Sequence, residues 1–134
     1  MVSTTLTNAL SGLTAATTRV GATSNNIANQ RTVGKPGATE GSEQVYQARD
    51  VVQSSVEPSG GTRAQVVNRQ PEGGLLAYDP TSPLANDEGL VEAPNVDLGR
   101  EFTDLIQSKN AYSANLKVLQ TQEDLEREVT DIIS

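Results

Sequence analysis

At 134 residues the chain has room for one domain, but only 35% of it is apolar and its aromatics are four, Tyr46, Tyr78, Phe102 and Tyr112. That leaves little material for a self-contained core, as in a subunit that borrows cover from its neighbours. A formal net charge of −7 argues against nucleic acid as a partner, because phosphate binding needs a basic face, and the absence of His and Cys removes the commonest general base, the best zinc ligands and all thiol chemistry.

From about Thr5 to Asn29 the residues Leu6, Leu10, Leu13, Thr17, Val20, Ser24 and Ile27 recur at alternating steps of four and three. This is the seven-residue period of a helix that packs along a partner. Intrinsic propensity is poor, with β-branched Thr5, Thr7, Thr14, Thr17, Thr18 and Thr23 and two helix-weakening glycines, Gly12 and Gly21. A helix here needs its seam covered. It runs into Ser24-Asn25-Asn26-Ile27-Ala28-Asn29. Asn side chains satisfy backbone groups at helix ends, which makes the run a capping segment. Alternatively Asn25, Asn26 and Asn29, beside small Ala28, form a polar band for a tight helix–helix interface.

Residues 30–42 are a breaker region, with Gly34, Pro36, Gly37 and Gly41. Val45 to Val56 and Thr62 to Asn68 are rich in Val, Thr and Gln and predict two strands, joined at Pro58-Ser59-Gly60-Gly61. Leu75 to Tyr78 is a third strand candidate and Leu90 to Glu92 a fourth, separated by a loop from Asp79 to Gly89. After Pro94 a long helix is expected from Leu98 to Ile133, with Leu98, Phe102, Leu105, Lys109, Tyr112, Leu116 and Leu119 on one seam. Val118, Leu125 and Ile132, with Val129 beside them, carry it on in a shifted register. About 36 residues at 1.5 Å each span roughly 50 Å, more than the small central region covers.

The expected fold is α+β, as a single structural unit: an N-terminal helix with its Asn-rich segment (1–33), a small β-rich region (34–94) and a C-terminal helix (95–134), the helices forming a coiled-coil-like pair. Before Glu40 the chain has no acid, only Arg19, Arg31 and Lys35, whereas acids dominate from Glu92 onward. Opposite signs favour pairing of the two ends, within or between subunits. The residues expected to form an assembly interface are Leu6, Leu10, Leu13, Val20, Asn25, Asn26, Ile27 and Asn29 at one end. At the other end they are Leu98, Phe102, Leu105, Tyr112, Leu116, Leu119, Leu125, Val129 and Ile132. No catalytic residue, metal ligand or cofactor site is expected. Ser108 and Lys109 are adjacent on a helix and point apart, Asp87-Glu88 reads as a solvated turn, and the glycine pairs lack phosphate-loop spacing. No run approaches the roughly 18 apolar residues of a membrane span, and the N-terminus lacks the basic start and apolar run of a secretory signal.

Leu10-Ser11-Gly12-Leu13 followed by Ser24 to Gly34 resembles the N-terminal signature of bacterial flagellar axial proteins, which form rod, hook and hook-associated segments. Tyr78 to Asp97, with its Asp79-Pro80 and Pro94-Asn95, and then Ser108, Tyr112, Ala114, Asn115 and Val118-Leu119 are similar to the proximal-rod branch. Tyr46-Gln47-Ala48-Arg49 resembles the strand that opens the middle of those proteins. Two stretches differ from the family pattern: Gln30-Arg31, and the acidic Glu123-Asp124-Leu125-Glu126-Arg127-Glu128. The resemblance implies a non-catalytic subunit of the basal-body rod, a hollow periplasmic shaft that carries torque from motor to hook. Its partners would be copies of itself, other rod proteins and the flagellar type III export apparatus, with export needing no cleaved signal peptide. An adaptor or export-chaperone-like module that engages helical partners is the other reading.

Overall fold

The Thr-rich N-terminal segment forms one unbroken helix, α1, Val2–Ala28, three residues longer at its start than the sequence pattern indicates. Its threonines satisfy their own hydroxyls: the Oγ1 atoms of Thr14, Thr17 and Thr18 each donate to the carbonyl four residues back at 2.9 Å. The second helix, α2, is Leu98–Ile133, as expected from the sequence. Asp97 starts it as an N-cap, its Oδ1 accepting the Arg100 N–H at 3.0 Å. The computed structural model describes residues 2–58 and 60–133, without the side chains of Val2 and Ser3. Met1, Ser134 and Ser59 of the predicted turn lie outside the described residues.

Between the helices lie two antiparallel pairs. Strand β1, Arg49–Ser55, pairs with β2, Thr62–Asn68, in the register Arg49↔Asn68 to Ser55↔Thr62. Strand β3, Gly74–Tyr78, pairs with β4, Leu90–Pro94, in the register Gly74↔Pro94 to Tyr78↔Leu90. The loop between β3 and β4 is folded by its own side chains: Asp79 Oδ1 accepts from Thr81 N and Oγ1, and Asn86 Oδ1 accepts from Glu88 N and Leu90 N. The first strand is shorter than its predicted span. Residues 45–48 make single bonds to separate segments, Tyr46 N to Thr32 O and Arg69 N to Ala48 O, so they form a buried strap instead of a ladder. Val45 and Ala48 are buried in it.

The helices run antiparallel. Asn26 near the end of α1 meets Glu101 in the first turn of α2, and Gly12 lies against Asn115. At 36 residues against 27, α2 outruns its partner, and every residue from Glu123 to Ile133 is exposed. The β1–β2 hairpin rests on α1, where Ser11 Oγ accepts the Thr62 N–H at 3.1 Å. The buried apolar residues are small: Ala9, Ala15, Ala16 and Ala22 of α1, with Val45, Ala48 and Val91.

Candidate assembly interface

Alanine and polar residues, not leucine, close the helix pair. On α1 the buried positions are Ala9, Ala15, Ala16, Ala22, Thr23 and Asn26. On α2 they are Glu101 and Ser108, continued by half-buried Asn115 and Gln122 at steps of seven. The intramolecular contact therefore lies one residue, about 100° around the helix, from the apolar seam marked by periodicity. Leu105, Tyr112 and Leu119 belong to both stripes.

The displaced leucines face outward. Leu6 and Leu10 are exposed, and Leu13, Val20 and Ile27 are half-buried. On α2, Leu98, Phe102, Tyr112 and Leu116 are exposed, while Leu105 and Leu119 are half-buried. Leu125 stands level with the start of α1, and Val129 and Ile132 project beyond it, Ile132 at 78% exposure. Two apolar stripes thus stand on the outside of a pair that is already closed.

The Asn-rich segment divides. Asn26, 1% exposed, turns inward instead of joining a surface band. Its Nδ2 donates to Arg49 O at 2.8 Å and to Glu101 Oε2 at 3.0 Å. Its Oδ1 accepts from Arg49 N at 2.8 Å and Tyr46 OH at 3.1 Å. All four of its hydrogen-bonding positions are filled inside the chain. Asn29, just past the helix, donates to the last-turn Asn25 carbonyl at 2.9 Å as a cap does, whereas Asn25 makes an internal back-bond to Gly21 O at 2.9 Å. Asn25 is exposed and Asn29 half-buried.

Asn26 is one corner of a network that ties four segments together. Arg69, just past β2, donates through Nη2 to Glu101 Oε1 at 2.7 Å, through Nε to Asp50 Oδ1 at 2.9 Å and through Nη1 to Asn95 O at 3.2 Å. Arg100 reaches the same Asp50 oxygen at 3.2 Å. Burial opposes the Arg69 charge, yet its hydrogen bonds with Asp50 and Glu101 outweigh that and its pKa is raised. Burial also raises the Tyr46 pKa, with Glu101 adding to the rise and Arg49 and Arg69 opposing it. Arg69, Glu101 and Asp50 were not marked by motif or period as functional. One signal was available: Glu101, Ser108, Asn115 and Gln122 form a polar stripe of period seven beside the apolar one.

The network fastens and the stripes are left free. An arrangement of that kind suits a subunit that buries its apolar surface in assembly. Residues 87–132 match the model for the C-terminal region of the flagellar basal body rod FlgEFG proteins. The flagellar basal-body rod protein FlgC of Yersinia enterocolitica is 34% identical over 119 residues, covering 86% of this chain and 85% of that protein. FlgC of Agrobacterium fabrum (strain C58) is 34% identical over 128 residues, covering 92% and 88%, and that of Salmonella typhimurium (strain LT2) 36% over 117 residues, covering 83% and 82%. The chain belongs to the flagellar basal-body rod protein FlgC family. Among the described residues, no helix is long and apolar enough to cross a membrane.

Proposed function

We propose that this chain is a non-enzymatic structural subunit of the flagellar basal-body rod, joined to copies of itself and to other rod proteins through the outward stripes of its terminal helices. The rod so built is a hollow periplasmic shaft that carries torque from motor to hook, and its subunits reach it through the flagellar type III export apparatus. The observation that supports this reading is the division of labour on the helices: alanine and polar residues close the pair, and Leu6, Leu10, Phe102 and Leu116 are left outside. Such apolar stripes on a small protein mark interaction surfaces. The membership of the family, whose relatives carry the rod in their names, supports it independently.

The test is swimming and basal-body structure in cells whose only copy carries Leu6→Asp or, separately, Leu116→Asp. Leu6 is 38% and Leu116 39% exposed, so each substitution places a charge in the assembled contact, and circular dichroism of the purified variant checks that the free subunit still folds. The expected outcome is loss of swimming and truncated rods, with the mutant subunit still exported. Normal swimming and intact rods in both strains would overturn the reading in favour of an adaptor.

A further inference from the structure

Two surface features lie outside the closed helix pair. The first is the end of α2. Gly12 lies against Asn115 and the helices are antiparallel, so each step back along α1 meets one step on along α2, and α1 runs out at Val2 opposite about Leu125. From that point on Leu125, Val129 and Ile132 recur at steps of four and three, among Glu123, Asp124, Glu126, Glu128 and Asp131 against the lone base Arg127. The second is a groove of about 380 Å³ between α1 and the β1–β2 hairpin. Leu10, Thr14, Ala15, Val56 and Ala64 line it, with Arg63 beside them. Leu10 is 60% exposed there, and Arg63 makes no ion pair among the described residues.

We infer that this groove receives the projecting end of α2 from a second copy of the chain. The inference rests on the rod-subunit reading and says how the outward stripes find one another. Length fits: Leu125 to Ile132 covers about 11 Å of helix, and the groove runs along α1 from Thr7 to Ala15, about 12 Å. Charge fits: the α2 end carries five acids against one base, whereas the wall formed by α1 has no acid at all and Arg63 stands beside it. The two features cannot meet within one chain. Leu10 lies opposite about Lys117, so Val129 is some 12 residues, about 18 Å, farther along α2. Donor and acceptor are different surfaces, which makes the contact head-to-tail. Each added copy presents a fresh end or a fresh groove, and a contact of this type grows a helical array unless the rotation closes it.

The chain contains no cysteine, so engineered thiols are the only ones present. Full-length Leu10→Cys and Val129→Cys proteins, made separately, are mixed under mild oxidation. The expected product is a disulfide dimer in the mixture at several times the yield of either variant alone, and a ladder of oligomers from the chain bearing both cysteines. Adding Arg63→Glu, which leaves both thiols in place, is expected to cut the yield severalfold at low salt. Equal yields from Val129→Cys alone, or a yield unmoved by Arg63→Glu, would overturn the proposal. So would a cross-link in isolated basal bodies to a protein of different mass, which would give the groove to another rod protein. No cross-link, together with lost swimming in Leu6→Asp and Leu116→Asp cells, overturns the head-to-tail contact alone. A cross-link together with normal swimming keeps the contact and removes the rod reading.

Discussion

Asn25 and Asn26 are neighbours with opposite tasks, and one conservative change separates them. Asn26→Asp keeps the shape but turns the Nδ2 donor into a carboxylate oxygen 3.0 Å from Glu101 Oε2. The new charge is buried against a like charge, so a loss of about 3–5 kcal/mol is expected in urea unfolding, enough to unfold a marginal domain. Asn25→Asp, on the exposed side of the same turn, is expected to cost no more than about 0.5 kcal/mol. Tyr46 gives the same network a pH dependence. Its pKa is raised above 10.0 in the folded chain, chiefly by burial, so the folded state holds the proton more tightly than the unfolded state does. The stability this provides is complete below the ordinary tyrosine range and drains away as pH rises through the folded value. The unfolding midpoint should therefore fall between pH 9 and pH 11, by less in Tyr46→Phe.

At the scale of elements, the strands and both helices were legible where local chemistry decides them. Leu98 follows an Asp N-cap, and the strands β1 and β2 flank a Pro-Gly turn. What periodicity did not show was which stripe the chain keeps for itself. The apolar repeat Leu98, Phe102, Leu105, Tyr112, Leu116 is the stronger signal, but an intramolecular pair needs close approach and hydrogen-bond partners. Ala9, Ala16, Glu101 and Ser108 supply those one residue away. Residues 45–48 form a strap although Val45 and Tyr46 have strand propensity. Their backbone partners come from residues 32 and 69, which no local pattern reveals. That strap makes Gly34 indispensable. Gly34 exchanges backbone hydrogen bonds with Glu92, and a Cβ there would lie 2.2 Å from Val45 N, so no flexible side chain can move aside. Gly34→Ala is expected to lose about 1–3 kcal/mol in thermal or chemical unfolding. At Gly21 a Cβ meets nothing within 4 Å, and Ala there should stabilise the helix by up to about 1 kcal/mol.

For the whole molecule, the charge division read from composition turned out to have a geometry. The antiparallel pairing sets the acid-free α1 beside α2 and leaves the acidic end of α2 projecting past it. The core made of alanines, a Glu, a Ser and an Asn has a thermodynamic consequence as well. Unfolding the free subunit uncovers little hydrocarbon and a good deal of polar surface. Hydration of apolar surface raises the heat capacity on unfolding and hydration of polar surface lowers it. The isolated chain should therefore have a small heat-capacity increment and a stability curve of little curvature. The proposed packing of the leucines against neighbours adds the missing apolar term, which gives the polymer the larger heat-capacity increment.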